Sequence, residues 1–200
     1  MSFDLSFNRH LDSIRPKAYR LLGFIRRNCV NHFSKATVRK LYVTLVRPQI
    51  EYVSVVWNPH HKTKIDSFER IQKRFLKLAC NNSKTDYDSC EYVNLCNFNF
   101  LTTLSKRRAI ADMLFLFKLV NGEIISPLIE FLNFYFPLRQ TRKPALFKPS
   151  VSRINVYKYS PLNRMQNMFN DLSFINKTLD LNYNTFNSFK CIVNNAASDF

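Results

Sequence analysis

The sequence predicts a mainly α-helical protein, in which a helical bundle is followed by a smaller helical C-terminal part that contains an extended segment. Three observations support this fold class. Apolar residues recur at intervals of three and four along several stretches, which is the period of a helix with one buried face. Two Ser-Pro pairs, at 126–127 and 160–161, have the residue types that open helices. Hydrophobic residues make up 46% of the 200 residues, so the chain can bury a core.

The first predicted helix has an apolar face and a basic face. Its apolar residues are Leu11, Ile14, Ala18, Leu21 and Ile25, and its basic residues are Arg15, Lys17, Arg20, Arg26 and Arg27. Pro16 has no N–H to donate, so it fits a first turn or a kink. Either the helix begins at Ser13, or a longer helix is kinked at Pro16.

The second predicted helix begins after Ser34, whose hydroxyl can cap it. Its apolar stripe consists of Val38, Leu41, Tyr42, Leu45 and Val46. Pro48 should end or kink this helix, because it lacks an N–H and clashes with the preceding turn. The same buried face could continue beyond Pro48 through Ile50, Val53, Val56 and Trp57.

The third predicted helix covers residues 62–80 and is the most basic. Its apolar face consists of Ile65, Phe68, Ile71, Phe75 and Leu78, and the remaining surface carries Arg70, Lys73, Arg74 and Lys77. A helix that is apolar on one side and cationic on the other is suited to contact a phosphate backbone. A charged helix face is more often plain solvated surface, but few acidic residues offset these charges.

The rest of the chain predicts further helices and one extended segment. Thr103 can cap a long helix that runs through Asn121, with Gly122 as the left-handed residue after it. Short helices follow Ser126 and Ser160, and another is centred on residues 186–192. Residues 134–159 interleave basic and aromatic residues between prolines, which predicts extended chain that could pair as a β-hairpin.

Charge divides the chain into three regions. Residues 1–82 hold 16 basic and 5 acidic residues, residues 83–133 hold 5 and 6, and residues 134–200 hold 9 and 3, for a net charge of +16. We therefore predict a basic helical region, a neutral helical core region, and a basic extended segment with short C-terminal helices. Two basic flanks favour a nucleic-acid partner over a membrane, and the longest apolar run is far shorter than the ~20 residues of a membrane span.

Several kinds of chemistry are excluded by the residues present. The five cysteines are odd in number and contain no C-x-x-C pair, so we expect reduced thiols, an intracellular protein and no zinc. Two glycines cannot form a glycine-rich phosphate loop. No Ser-His-Asp or Cys-His arrangement has supporting context. We expect no cofactor and no metal site.

Short segments in a fixed order carry a family resemblance. They are Leu41-Tyr42, Leu-Val-Arg-Pro at 45–48, Glu51-Tyr52, Val-Trp-Asn-Pro at 56–59 and Glu-Arg-Ile-Gln-Lys-Arg-Phe at 69–75, with Leu-Ser-Phe at 5–7, His10 and Leu-Gly-Phe at 22–24 before them, and Arg107-Arg108, Lys-Leu-Val-Asn-Gly at 118–122 and Ser-Pro-Leu-Asn-Arg-Met at 160–165 after them. Together they resemble the region downstream of the polymerase palm in LINE-type (non-LTR) retrotransposon reverse transcriptases, jockey-like in character. The resemblance covers nearly the whole chain.

The resemblance implies a helical thumb-like bundle that holds a template–primer duplex, RNA/DNA hybrid or other, beside the upstream palm and fingers of a parent RNA-directed DNA polymerase. The family's metal-binding Tyr-x-Asp-Asp hairpin is absent from these 200 residues, so no catalytic residues are expected. The predicted nucleic-acid-binding residues are Arg15, Arg20, Arg26, Arg27, Arg70, Lys73, Arg74, Lys77, Arg139, Arg142 and Lys143. The expected location is the nucleus or the cytoplasm.

Two other interpretations stay open at this point. The chain could be a domesticated or remnant helical interaction protein without a polymerase role. The sequence could also come from a truncated gene model of an active element. Salt-dependent binding of nucleic acid distinguishes the first of these from a thumb-like binding fragment.

Overall fold

The computed structural model describes residues 7–80, 96, 101–135, 145–148, 153–176, 179–181 and 184–196. Helices make up 74% of this part of the chain, which confirms the mainly α-helical fold. The chain forms two compact units, Met1–Arg107 and Arg108–Phe200. The three regions predicted above were drawn from charge and composition, whereas these units are defined by packing.

The described residues of the first unit form five helices and the start of a sixth. They are α1 (Asn8–Asn28), α2 (Lys35–Leu41), α3 (Arg47–Glu51), α4 (Ser54–Trp57), α5 (Lys62–Cys80) and α6 (Leu104–Val120), which continues into the second unit. A π turn at Tyr42–Val46 joins α2 to α3. One cluster of buried apolar residues holds α1, α2, α3 and α5 together.

Helix α1 contains Pro16 in its interior. The prediction that the helix begins at Ser13 is therefore wrong, and the alternative of a longer helix is correct. Pro16 removes one backbone hydrogen bond. Burial on both sides of the proline favours the helix: Leu11, Ile14, Ala18, Leu22 and Ile25 face the core, so Leu22 takes the position predicted for Leu21.

The second predicted helix begins at the expected residue, but a π turn interrupts it before Pro48. Ser34 accepts a hydrogen bond from the backbone N–H of Thr37 at 3.3 Å, which confirms the cap. The helix does not end at Pro48, because a π turn precedes Pro48 and places it in the first turn of α3. Ile50 and Trp57 are buried as predicted, but Leu45, Val53 and Val56 are exposed.

Helix α5 contributes the centre of the core. Phe68, Ile71 and Phe75 are fully buried, and the ring of Phe75 stacks on Tyr42 with centroids 4.0 Å apart and an interplanar angle of 12°. Ile65 and Leu78 are half-buried. The predicted apolar face of this helix is therefore confirmed at its centre.

Where the structure describes the second unit, it contains the rest of α6, a 3₁₀ helix (Pro127–Phe131) and three later helices, α7 (Asn155–Lys158), α8 (Pro161–Ile175) and α9 (Phe186–Ala196). The predicted ends of α6 are confirmed, since the Thr103 hydroxyl accepts from the N–H of Lys106 and Gly122 has a φ of +71°. Ser126 and Pro127 open the 3₁₀ helix as expected, although Leu128 and Phe131 are exposed.

The segment predicted as extended, residues 134–159, contains both extended chain and a short helix. Phe134 pairs antiparallel with Phe147, and Asn170 of α8 bonds both backbone groups of Phe147, at 3.2 and 2.9 Å. The residues that would form the turn between them lie outside the described part of the chain. Residues 155–158 form α7, so the extended prediction is wrong there.

Helix length and hydropathy also bear on a membrane location. In the described residues, no helix combines the length and the apolar character that crossing a bilayer requires.

Candidate nucleic-acid interface

Helices α1 and α5 lie side by side and are joined by polar contacts at two levels. Lys64 donates a hydrogen bond from Nζ to Asp12 Oδ1 at 3.3 Å, and the Arg74 guanidinium lies 5.6 Å from the centre of the Tyr19 ring. Residue numbers rise in both helices from the first contact to the second. The two helices therefore run in the same general direction.

The structure leaves five of the predicted binding residues well exposed. We call these residues the basic surface: Arg20, Arg26 and Arg27 of α1, with Arg70 and Arg74 of α5. Arg15 is half-buried and lies 3.7 Å from Asp12, so part of its charge is neutralised. Lys73 and Lys77 are half-buried. Arg139, Arg142 and Lys143 lie outside the described residues.

Helices α1 and α5 carry few carboxylates of their own to offset the basic surface. Asp12 is the acidic residue of α1, and it is already engaged by Arg15 and Lys64. On α5, Glu69 is buried and only Asp66 is exposed. A cationic surface on rigid helices can contact phosphates at low entropic cost, and such contacts carry no base information.

A second charged cluster joins α3 to the start of α6. Arg107 donates hydrogen bonds from Nε and Nη2 to the two carboxylate oxygens of Glu51, the latter at 2.8 Å. Arg47 lies one helical turn before Glu51, and its Nε is 3.7 Å from Glu51 Oε1. Two guanidinium groups therefore share one carboxylate.

The two arginines of this cluster differ in their electrostatics. Burial, followed by the positive charge of Arg107, lowers the pKa of Arg47 from its ordinary value. The hydrogen bonds from Arg107 to Glu51 raise the pKa of Arg107. Glu51 is thus bound mainly to Arg107, and Arg47 is the less well compensated cation.

Buried polar contacts from α5 fix the position of this cluster. The Glu69 carboxylate accepts from the N–H groups of Leu104 and Ser105, at 3.4 and 2.8 Å, and so holds the first turn of α6. Gln72 accepts a hydrogen bond from the Tyr42 hydroxyl at 3.2 Å and donates one to the carbonyl of Thr102 at 2.9 Å. Arg107, one turn into α6, is thereby held against Glu51.

Arg47, Glu51 and Arg107 were not among the binding residues predicted from the sequence. Arg47 and Glu51 are four residues apart on one helix, a spacing that places opposite charges together, so this pair could have been predicted. The partnership with Arg107, 56 residues from Glu51, has no local signal in the sequence.

The described residues contain no group of three or more His, Cys, Asp or Glu side chains placed to hold a metal ion. Cys29 and Cys96 are buried, and Cys191 is exposed.

Comparison of this chain with protein-family models, with curated proteins and with solved structures found no match. Its function is therefore inferred from its residues, their geometry and the resemblance carried by its short motifs.

Proposed function

We propose that this protein is a noncatalytic C-terminal fragment of a LINE-type retrotransposon reverse transcriptase that binds template–primer nucleic acid through the phosphate backbone. The observation that supports the proposal is the packing of α1 beside α5, two helices whose exposed arginines form the basic surface. The ordered motifs shared with the family point the same way.

The electrostatics of the first unit favour a polyanionic partner. Five exposed arginines on two packed helices repel one another, and a bound polyanion relieves that repulsion. The basic helices turn their apolar faces to the core, so they leave no lipid-facing stripe of the kind an interfacial helix needs. The runner-up function, a remnant helical interaction protein, predicts no dependence of nucleic-acid affinity on these arginines.

The proposal predicts the behaviour of a triple variant, Arg20→Gln, Arg26→Gln and Arg70→Gln. All three side chains are exposed, and glutamine is a good helix former, so stability should barely change. If each arginine contacts a phosphate, the slope of log K against log salt should flatten by about 2.7, since each contact contributes about 0.9. The measurement is the affinity for a short RNA/DNA hybrid over a salt series.

A matched triple variant shows whether a change in the salt slope comes from lost local contacts or from the lower net charge. Lys148→Gln, Arg153→Gln and Lys190→Gln remove the same charge from exposed positions of the second unit. This control should keep the wild-type slope. If the slope flattens equally in both variants, binding follows net charge alone, which would contradict a binding role for the basic surface.

A further inference from the structure

One cleft of the first unit contains buried hydrogen-bond donors that lack an acceptor within the described residues. The Arg47 cleft has a volume of about 370 Å³ and is lined by Val43, Arg47, Pro48, Glu51, Tyr52 and Arg107. Arg47 is only 9% exposed, and its Nε and Nη2 atoms are buried without a hydrogen bond. Buried donors of this kind are rare in native proteins and are costly unless an acceptor reaches them.

Glu51 does not supply that acceptor. Both of its carboxylate oxygens already bind Arg107, and its approach to Arg47 Nε, at 3.7 Å, is beyond hydrogen-bond range. Two guanidinium groups and one carboxylate leave the cleft with a net positive charge. Among the described residues, no second anion balances the positive charge of the cleft.

A phosphate group fits this requirement better than a second carboxylate. It carries about −1.5 to −2 charges at neutral pH and three strong acceptor oxygens, so it can accept from two arginines at once. The volume is about twelve times the ~30 Å³ of one liquid water, which leaves room for a phosphate with its hydration. Val43, Pro48 and Tyr52 contribute the apolar part of the lining.

The backbone on each side of the cleft departs from ordinary helix. The π turn at Tyr42–Val46 precedes Arg47 directly, and such turns occur frequently at functional sites. After Glu51 and Tyr52, Val53 adopts a left-handed conformation, with a φ of +51°, which is unfavourable for a β-branched residue. The fold thus holds Arg47, Glu51 and Tyr52 between two uncommon backbone conformations.

We propose that the Arg47 cleft binds one phosphate group, with Arg47 and Arg107 as its cationic ligands. This site goes beyond the proposed function, because it rests on the buried donors of Arg47 and not on the basic surface. Its ligand is either a free phosphate ion or a phosphate of a nucleic-acid chain.

Nuclear magnetic resonance of the arginine Nε–H groups in the full chain tests the site. Inorganic phosphate is titrated against chloride at constant ionic strength, and the Arg47 signal is identified by its loss in Arg47→Lys. The Arg47 signal should shift and saturate, while the signal of exposed Arg20 should not saturate. A shift that rises linearly for all arginines would show screening alone and would overturn the proposal.

A second variant keeps Arg47 in place. Tyr52 is 72% exposed, so Tyr52→Glu should fold and set a competing carboxylate beside the cleft. This variant should weaken the phosphate response at least about tenfold, because the added anion repels phosphate and attracts the arginines. An unchanged response in Tyr52→Glu would place phosphate elsewhere and refute the site.

The source of the phosphate is distinguished by repeating the titration with a short RNA/DNA hybrid. If the hybrid saturates the Arg47 signal and competes with inorganic phosphate, the ligand is a backbone phosphate. If only inorganic phosphate saturates it, the ligand is a free ion. Both results support the site, and a chain that binds phosphate but no hybrid would contradict the proposed function alone.

Discussion

Replacing Phe75 by alanine is expected to lower the free energy of unfolding by about 3 to 5 kcal/mol, the usual cost of truncating a buried phenylalanine. Phe75 is fully buried at the centre of the first unit, and its ring stacks on Tyr42. The variant loses both the buried apolar area and the ring contact. Because small domains are stable by only about 5 to 15 kcal/mol, much of the protein should unfold or become insoluble. Denaturant unfolding of the full chain measures the change.

A surface phenylalanine provides the control for Phe75. Phe24→Ala removes the same group from a side chain of α1 that is 49% exposed, so its unfolding midpoint should move far less. Phe75→Leu keeps most of the buried volume, so this variant should stay soluble, with an unfolding midpoint between those of Phe75→Ala and the unaltered chain. Equal midpoints for Phe75→Ala and Phe24→Ala would show that α5 is oriented differently from the arrangement described above.

Replacing Asp112 by asparagine is expected to destabilise the second unit by about 3 to 5 kcal/mol, the usual cost of breaking a buried ion pair from one side. Asp112 is completely buried in α6 and accepts two hydrogen bonds from Arg164, at 2.8 and 3.2 Å. Arg164 also donates to the carbonyl of Tyr159. Asparagine keeps the shape but leaves the guanidinium charge without its counterion. The measurement is again the unfolding midpoint of the full chain.

Two further variants make the Asp112 result specific. Asp171→Asn removes a carboxylate from an exposed position of α8 and should have little effect. The double variant Asp112→Leu with Arg164→Met should recover much of the lost stability, because replacing both members of a buried pair by apolar residues is often neutral. A midpoint of Asp112→Asn that matches Asp171→Asn would mean that the ion pair contributes little to folding.

The sequence predicted helices best where an uninterrupted period of 3.6 governs the whole segment. In α5, spacing alone identified Phe68, Ile71 and Phe75, and all three are fully buried. The cap at Ser34 and the left-handed Gly122 were also predictable, because local chemistry decides them.

Around the π turn, a period of 3.6 residues did not predict burial correctly. Burial from α2 to α3 falls on every fourth residue, at Val38, Tyr42, Val46 and Ile50. A π turn is wider than an α turn and contains an extra residue, so it rotates the following side chains away from the positions that a constant period predicts. A constant helical period predicted that Leu45 is buried. Because of the π turn, Leu45 is exposed and Arg47 is buried instead.

Of the two candidate sites, the basic surface could be predicted from the sequence and the Arg47 cleft could not. The basic residues of α1 and α5 could be identified from composition and spacing, since solvent exposure of charged side chains is the default. The Glu51–Arg107 contact depends on how α5 holds the start of α6, through Glu69 and Gln72. Contacts between residues so far apart in sequence follow from tertiary packing, and a single sequence carries no local signal for them.

The salt dependence of hybrid binding by the unaltered chain tests nucleic-acid binding most directly. The affinity for a short RNA/DNA hybrid is measured from about 50 to 200 mM salt. If three to five arginines and lysines reach phosphates, log K should fall against log salt with a slope of about −3 to −5, with little preference for sequence. A slope near zero, or no binding at the lowest salt, would contradict phosphate contacts by this protein and favour a remnant that no longer holds a duplex.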